Sequence, residues 1–522
     1  MLIEILIFVV TFLVAYVTWK QKKVHDFLRE RDVKFVPGYP LFGNTYGSLM
    51  DKKHIVDELI EAYNKFPEER YVGFLEGSNP VIIIRDPEII KNITVKNFEH
   101  FMNHKEFFPS NEDIFGKSVF VMKGEVWRDM RATLSPAFTG SKMRLMVPAM
   151  IKVSNNVVNY LKETEGEIVD VDDLMRRYAN DVIAAAGYGL EVNSFVDKTN
   201  EFYNIGQTLF QFDLKQKLIL FLFMHCPSLT EKLNMTLFPP KTVNFFRHIV
   251  TKTMEDREKN KIERPDMIQL LMEANKGTLK PTQTHEENDV GFAAVEEVLK
   301  TEGDVRKWSL DDLVGQVFIF FTAGFETSAS TLVMCIHELA LNPKAQDKLH
   351  EEVLQFSQTK KLTYENIPAM KYLDCVLNET LRKWSAAIFM DRTCVKHYEL
   401  PPPREGGKPY LLKPGDVVYN MVNAIHMDPK YFPEPEAFIP ERFSDENKHN
   451  IEPFTFMPFG MGPRACIASR FALLELKVLM YFLVLNFKFL KCEKTMDPIR
   501  LINKGFLIQA AEGTFIKFES RM

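Results

Sequence analysis

The stretch richest in chemistry is Pro458-Phe459-Gly460-Met461-Gly462-Pro463-Arg464-Ala465-Cys466-Ile467-Ala468. Two glycines and a proline lead to one cysteine, and an apolar helical run is expected from Ile467 to about Leu485. A cysteine at a helix start sits in the partial positive charge of free backbone N–H groups. That environment lowers a thiol's pKa and favours the thiolate, the form that binds metal. Arg464 adds a full positive charge nearby. Gly460 and Gly462 permit a tight turn and let a flat ligand approach the backbone. The plainer alternative is a buried structural cysteine before an amphipathic helix, the commoner fate of a lone cysteine.

Three more constellations carry polar chemistry in apolar surroundings. Phe318-Ile319-Phe320-Phe321-Thr322-Ala323-Gly324-Phe325-Glu326-Thr327-Ser328 puts an acid and two hydroxyls mid-helix, which needs a reason. Either Thr327 and Ser328 bond back to carbonyls four residues earlier, or a local distortion opens a polar groove in the helix. Trp127 and Arg131 share a helix face. Both are donors and suit a carboxylate; the alternative is a packed indole with a snorkelling arginine. Glu379 and Arg382, at i and i+3, form an ion pair that the apolar neighbours Leu373, Val376, Leu377 and Leu381 would bury. A buried pair needs further hydrogen bonds, and Arg442 is a candidate third member. His426 has no partner at ligand spacing, which argues against a metal role.

These residues need a large scaffold, and 522 residues at 46% hydrophobic supply one. No proline-, glycine- or serine-rich linker divides it. The net charge of −5 argues against a nucleic-acid partner. The six cysteines, Cys226, Cys335, Cys375, Cys394, Cys466 and Cys492, form no C-x-x-C pair. A zinc site is therefore not expected, and scattered single cysteines suit a reducing compartment. Residues 1–19 carry one charge, Glu4, and would make a helix about 28 Å long, near the roughly 30 Å hydrocarbon thickness. Lys20, Lys22, Lys23, Arg29, Arg31 and Lys34 follow, which places the remainder in the cytosol. A cleaved signal peptide would need a basic leader and a small-residue cleavage site; neither is present. Prolines stiffen the stretch Phe35 to Asn44.

Tyr71–Phe74 and Pro80–Ile84 predict two short strands, and a mostly helical pattern runs from Val126 to Arg264. Leu218–Met224 is seven apolar residues: a core turn, or a patch dipping into a membrane surface. Lys276 to Lys307 reads as a surface insertion. Ser309 and Asp312 predict a capping-box start, with Asp for the usual Glu, to a helix ending at Asn342-Pro343.

The spacing Phe459-x-x-Gly462-x-Arg464-x-Cys466 resembles the proximal heme loop of the cytochrome P-450 monooxygenases. Ala323–Ser328 resembles the oxygen-activation motif of that family, and Glu379, Arg382 and Arg442 its Glu-Arg-Arg core triad. Trp127, Arg131 and Arg392 stand where relatives meet heme propionates. The order of these motifs resembles the family throughout, and their wording is similar to membrane-bound insect forms that handle xenobiotics. Ala468 departs from the usual glycine, and Ser385-Ala386-Ala387 from the usual prolines.

The resemblance implies a mainly α fold: a large helical domain, a small β-rich lobe and an N-terminal transmembrane helix. It partitions the chain into an anchor (1–19), a basic, proline-containing hinge (20–44) and a catalytic domain (45–522). It implies heme b, with Cys466 as iron ligand, Trp127, Arg131, Arg392, Phe459 and Arg464 as further heme contacts, and Glu326 and Thr327 in proton delivery. It also implies insertion of one oxygen atom from O2 into lipophilic substrates. Electrons would come from NADPH through a flavoprotein reductase in the endoplasmic reticulum membrane, docked on a basic face including Lys123, Arg128 and Lys477. The pocket stretches carried over are 101–120, 202–212, 318–323, 386–390 and 505–507. Xenobiotic or insecticide detoxification is the implied role. A dedicated lipid or hormone substrate, a heme-thiolate isomerase and a heme sensor are the alternatives, and the Glu326-Thr327 pair argues against the last two.

Overall fold

A computed structural model describes residues 2–108, 113–209, 212–276, 291–294, 306–503 and 508–521. Most of the expected insertion, and the pocket stretch 505–507, lie outside the described residues. The chain builds a large helical body with a small lobe of short strands. The elements that position the site are α1 (Leu2–Glu30), α2 (Gly124–Leu134), α3 (Val171–Tyr188), α4 (Leu214–His225), α5 (Leu310–Leu341), α6 (Lys371–Lys383) and α7 (Ser469–Asn486).

α5 is the spine. The Ser309 hydroxyl accepts from the Asp312 amide (3.2 Å) while Asp312 Oδ2 accepts from the Ser309 amide (2.9 Å), a capping box built with Asp. The helix runs through the core against α3, α6 and α7. It approaches α3 closely at Gly324, where a Cβ would lie 2.7 Å from Ile183 Cδ1. Among the described residues α5 alone is long and apolar enough to cross a membrane, yet it is enclosed by the fold as a core helix.

The four-stranded sheet runs β1-β2-β4-β3, from β1 (Tyr71–Glu76), β2 (Asn79–Ile84), β3 (Phe389–Thr393) and β4 (Val417–Met421). β1 and β2 form an antiparallel hairpin with Tyr71 opposite Ile84. β2 pairs parallel to β4, which pairs antiparallel to β3 with Phe389 opposite Met421. The strand period of two then sends Asp391 and Arg392 to opposite faces.

α1 continues unbroken across the expected border at residue 19. Its second half docks on the body, with Gln21 and Leu28 buried and Gln21 Nε2 donating to the Gly38 carbonyl. Part of the expected hinge is thus helix, because Gln21 and Leu28 have packing partners.

Candidate active site

The Cys466 loop is held by backbone and by one arginine. Gly460 and Gly462 take φ of +78° and +72°, which a side chain would resist. A Cβ at Gly462 would also lie 1.9 Å from the Thr94 carbonyl oxygen. The Cys466 amide donates to the Phe459 carbonyl at 2.8 Å. α7 begins only at Ser469, so the expected helix-start position is corrected: the Cys466 N–H is spent on the loop, and the thiol stands just ahead of the first turn. The Arg464 guanidinium donates to the carbonyls of Met102 (2.8 Å), Val119 (3.2 Å) and Met122 (2.7 Å). It also lies 4.0 Å above the Trp127 ring.

Among the described residues, Cys466 is the only cysteine on the wall of a cavity of about 1540 Å³. Burial pushes the thiols of Cys335 and Cys375 up to about 12, and that of Cys394 to about 11. Arg131, Arg392, Arg464, Trp127 and Phe459 line the same cavity. Arg392 is buried, and its Nε has no hydrogen-bond partner among the described residues. Burial holds its pKa down to about 10. Burial, then Arg392, drives Arg464 well below its ordinary range. Asp391 is close, but it accepts from the Lys105 amide (2.5 Å) and meets His104 Nδ1 at 2.9 Å.

Glu326 lines the same cavity, is 5% exposed, and receives Arg176 Nε at 3.2 Å and Gln509 Nε2 at 3.2 Å. Burial raises its pKa against the pull of Arg176. The Thr327 hydroxyl donates back to the Ala323 carbonyl at 2.6 Å. Ser328 instead reaches sideways to Glu475 Oε2 of α7 at 3.0 Å. Glu475 is buried, and burial pushes its carboxyl up to about 8.

Beneath the site, Glu379 accepts from Arg382 Nε (2.8 Å) and Nη2 (2.9 Å), from the Ile439 amide (2.9 Å) and from Arg442 Nε (3.4 Å). Arg382 also donates to the carbonyls of His426 (2.9 Å) and Pro435 (2.8 Å). His426 Nδ1 meets the Arg382 carbonyl at 3.2 Å, and its Nε2 accepts from the Met457 amide at 3.0 Å. Burial, then Arg382, lowers its pKa to about 3. Both ring nitrogens thus serve structure, and His426 joins the Glu379 cluster to the segment entering the cysteine loop.

The family model for cytochrome P450 matches residues 34–517. The chain is 41% identical to "Probable cytochrome P450 9f2" of Drosophila melanogaster, covering 95% of each chain. It is 40% identical to "Cytochrome P450 9e2" of Blattella germanica, covering 98% of this chain and 96% of that one. It is 34% identical to "Cytochrome P450 6k1" of Blattella germanica, covering 92% and 90%.

The chain is a cytochrome P450.

Membership makes this P450 a monooxygenase and implies a heme with a thiolate ligand. The residues present fit such a group. Among the described residues no cluster of three or more His, Cys, Asp or Glu side chains converges for a metal ion, whereas one cysteine faces a large cavity. The arginines at the cavity edge, with an orphaned buried N–H on Arg392, call for an anion, and heme carries two carboxylates.

Sequence reasoning missed Arg176, Gln509 and Glu475. Glu475 had a signal: it is the acid inside the apolar run Leu473-Leu474-Glu475-Leu476 of α7. Arg176 and Gln509 had none, because they reach Glu326 from distant parts of the chain. The expected basic docking face is corrected at Lys477, which is 1% exposed and pairs with Asp374 at 2.7 Å. α7 packs that lysine inward. Arg128 is tied to Glu99 (2.7 Å) and Glu125 (3.0 Å), and Lys123 to Glu106. The stretch Leu218–Met224 falls in α4, with Ile219 and Phe223 buried and Leu218 and nearby Leu214 exposed.

Proposed function

We propose that this P450 oxidises large, neutral, lipophilic molecules in the endoplasmic reticulum membrane, with detoxification of foreign compounds as its role. The observation that carries the reading is the cavity: Cys466, Arg131, Arg392, Arg464, Glu326 and Thr327 line it together with many apolar side chains. Heme b, when bound, supplies dioxygen activation, driven by electron donation from the thiolate.

Cys466 would be the iron ligand. Arg392, with Arg131 and Trp127, would hold the heme carboxylates. Arg464 holds Trp127 and the carbonyls of Met102, Val119 and Met122 in place, and Phe459 would contact the heme. Glu326 is the proton store: burial raises its pKa above the ordinary carboxylate value, which favours the protonated acid that a general acid needs. With heme bound, Thr327 would orient a proton into the cavity through the hydroxyl that now donates to the Ala323 carbonyl. Electrons come from NADPH through a flavoprotein reductase. Residues 1–19 anchor the chain, and the catalytic body from residue 45 onward faces the cytosol, joined by the stretch 20–44.

Phe107, Phe108, Phe115, Phe120, Phe320 and Phe389 are among the wall residues. Such walls gain about 25 cal/mol per Å² of apolar surface buried and adapt to differently shaped ligands. Ala386 and Ala387 leave room on the same wall. NADPH-driven turnover with added reductase, over a panel of bulky foreign aromatics and endogenous lipids, tests the reading. Product from several bulky aromatics is expected. Turnover of a single endogenous lipid, with none from the aromatics, would replace it with a dedicated biosynthetic role.

A further inference from the structure

The cavity wall has one polar corner away from the cation-rich edge. Lys105 and Glu76 both line the cavity there, with side chains 22% and 12% exposed. Lys105 Nζ pairs with Glu76 Oε2 and lies 3.1 Å from the Tyr419 hydroxyl. That hydroxyl donates to Glu76 Oε1 at 2.5 Å. Aromatic rings frame the ammonium: its Nζ is 5.2 Å from the Phe107 centroid and 5.6 Å from that of Tyr419. Phe389 stacks on Tyr419 at 4.2 Å and 17°, while Phe107 and Phe389 share the cavity wall.

An ammonium carries three N–H groups. Two are engaged by Glu76 and Tyr419, and the third has no partner among the described residues. Burial already depresses the Lys105 pKa to about 8, so a further acceptor relieves a partly desolvated cation. Its charge is meanwhile balanced by Glu76. Asp391 stands close by, accepting from the Lys105 backbone amide at 2.5 Å. A ligand carboxylate entering the corner would meet two fixed carboxylates, whereas a neutral oxygen meets a donor and three ring faces or edges.

We propose that Lys105, framed by Phe107, Phe389 and Tyr419, is a specificity-determining anchor for a neutral hydrogen-bond acceptor on the substrate, the oxygen of a ketone, ester or ether attached to an aromatic group. This rests on the reading of the cavity as a site for lipophilic molecules and narrows it. One polar group in an apolar pocket fixes ligand orientation, and a hydrogen bond to a charged donor is among the stronger kinds.

The test is equilibrium dialysis of the full-length, heme-loaded protein with two ligands of like shape, benzophenone and diphenylmethane, and with 2-benzoylbenzoate. After correction for their partition into octanol, the wild type binds benzophenone more tightly than diphenylmethane, and both more tightly than the anion. Lys105→Met cuts the benzophenone preference about fivefold or more and changes diphenylmethane binding less than about twofold. Lys105→Arg retains the preference. Lys105→Met strands Glu76, so Lys105→Met/Glu76→Gln carries the same test with both charges removed if the single variant does not fold. A benzophenone preference unchanged in either folded variant, or absent in the wild type, overturns the anchor and leaves the lipophilic cavity standing. Tightest binding of the anion also overturns it. No wild-type binding of either neutral ligand overturns the anchor and the lipophilic reading together.

Discussion

At the scale of single residues, the cavity wall sets apart the cysteine that the sequence motif singles out. Cys335 is buried in α5 and Cys492 lies outside the cavity, whereas Cys466 lines it. Cys466→Ala is expected to abolish the thiolate-type carbon monoxide spectrum, while Cys335→Ala and Cys492→Ala keep it; difference spectra of the reduced, carbon monoxide-bound protein minus the reduced protein check this. Thr327→Ala frees the Ala323 carbonyl at modest cost to the helix, and is expected to divert NADPH electrons to hydrogen peroxide. A peroxide-to-product ratio equal to wild type would leave Thr327 with only its helix bond. Glu475 yields a pH prediction. Its folded pKa of about 8 lies above the ordinary 4.5, so the fold favours the neutral acid. That stabilisation is full below about pH 4.5 and is lost as pH rises through about 8. Glu475→Gln stays neutral throughout, so its melting temperature should fall less than that of wild type between pH 6 and 9. Glu326, Thr327, Ser328, Glu379 and Arg382 could be picked out because each interrupts an apolar pattern with a charge or a hydroxyl, whereas Cys466 stands out by the spacing of its loop. Their partners could not: the partner of Ser328 stays hidden until α7 brings Glu475 beside it.

At the scale of elements, the clearest forecasts were those set by local rules. The Ser309–Asp312 box and the Asn342-Pro343 stop fixed α5 within a residue, since capping depends only on neighbours in sequence. The β1–β2 hairpin was equally local. The start of α7 was misplaced by two residues, because the Cys466 amide is claimed by Phe459, a loop bond that no periodicity reveals. The Glu379 cluster joins α6 to segments near residues 426, 435 and 442, and Glu379 and Arg382 are fully buried. Glu379→Ala strands the Arg382 guanidinium, a loss on the order of 3–5 kcal/mol. Heme-loaded yield and thermal melting check it; wild-type values for both would mean that the carbonyl bonds alone satisfy Arg382. Ser309→Ala should cost far less, about 0.5–2 kcal/mol.

At the scale of the whole molecule, the family resemblance implied a helical body with a small β lobe but not how α1 divides. Deleting residues 2–19 spares Gln21 and Leu28 and should leave a folded body, whereas deletion through residue 30 should cost solubility and yield. After the shorter deletion, liposome flotation should still recover part of the protein through Leu214 and Leu218 of α4. Leu214→Asp/Leu218→Asp should abolish that remainder; undiminished flotation would assign the contact to another surface. The misreading of Lys477 has the same origin as the unforeseen run of α1 to Glu30. Which side of a helix meets the core is decided by partners far away in sequence.

The order in which the chain is synthesised gives the cysteine loop another consequence. α3, the body of α5 and most of the aromatic wall leave the ribosome well before Cys466, which is tied into place through Met457, His426 and Arg382. At about 5–20 residues per second, roughly 7–27 s separates Thr331 from Cys466. For that interval a nascent chain holds a half-built greasy basin with nothing to close it. Cells short of heme would meet the same exposed basin for longer, so chaperone demand during translation should track heme supply as much as the stability of the finished protein.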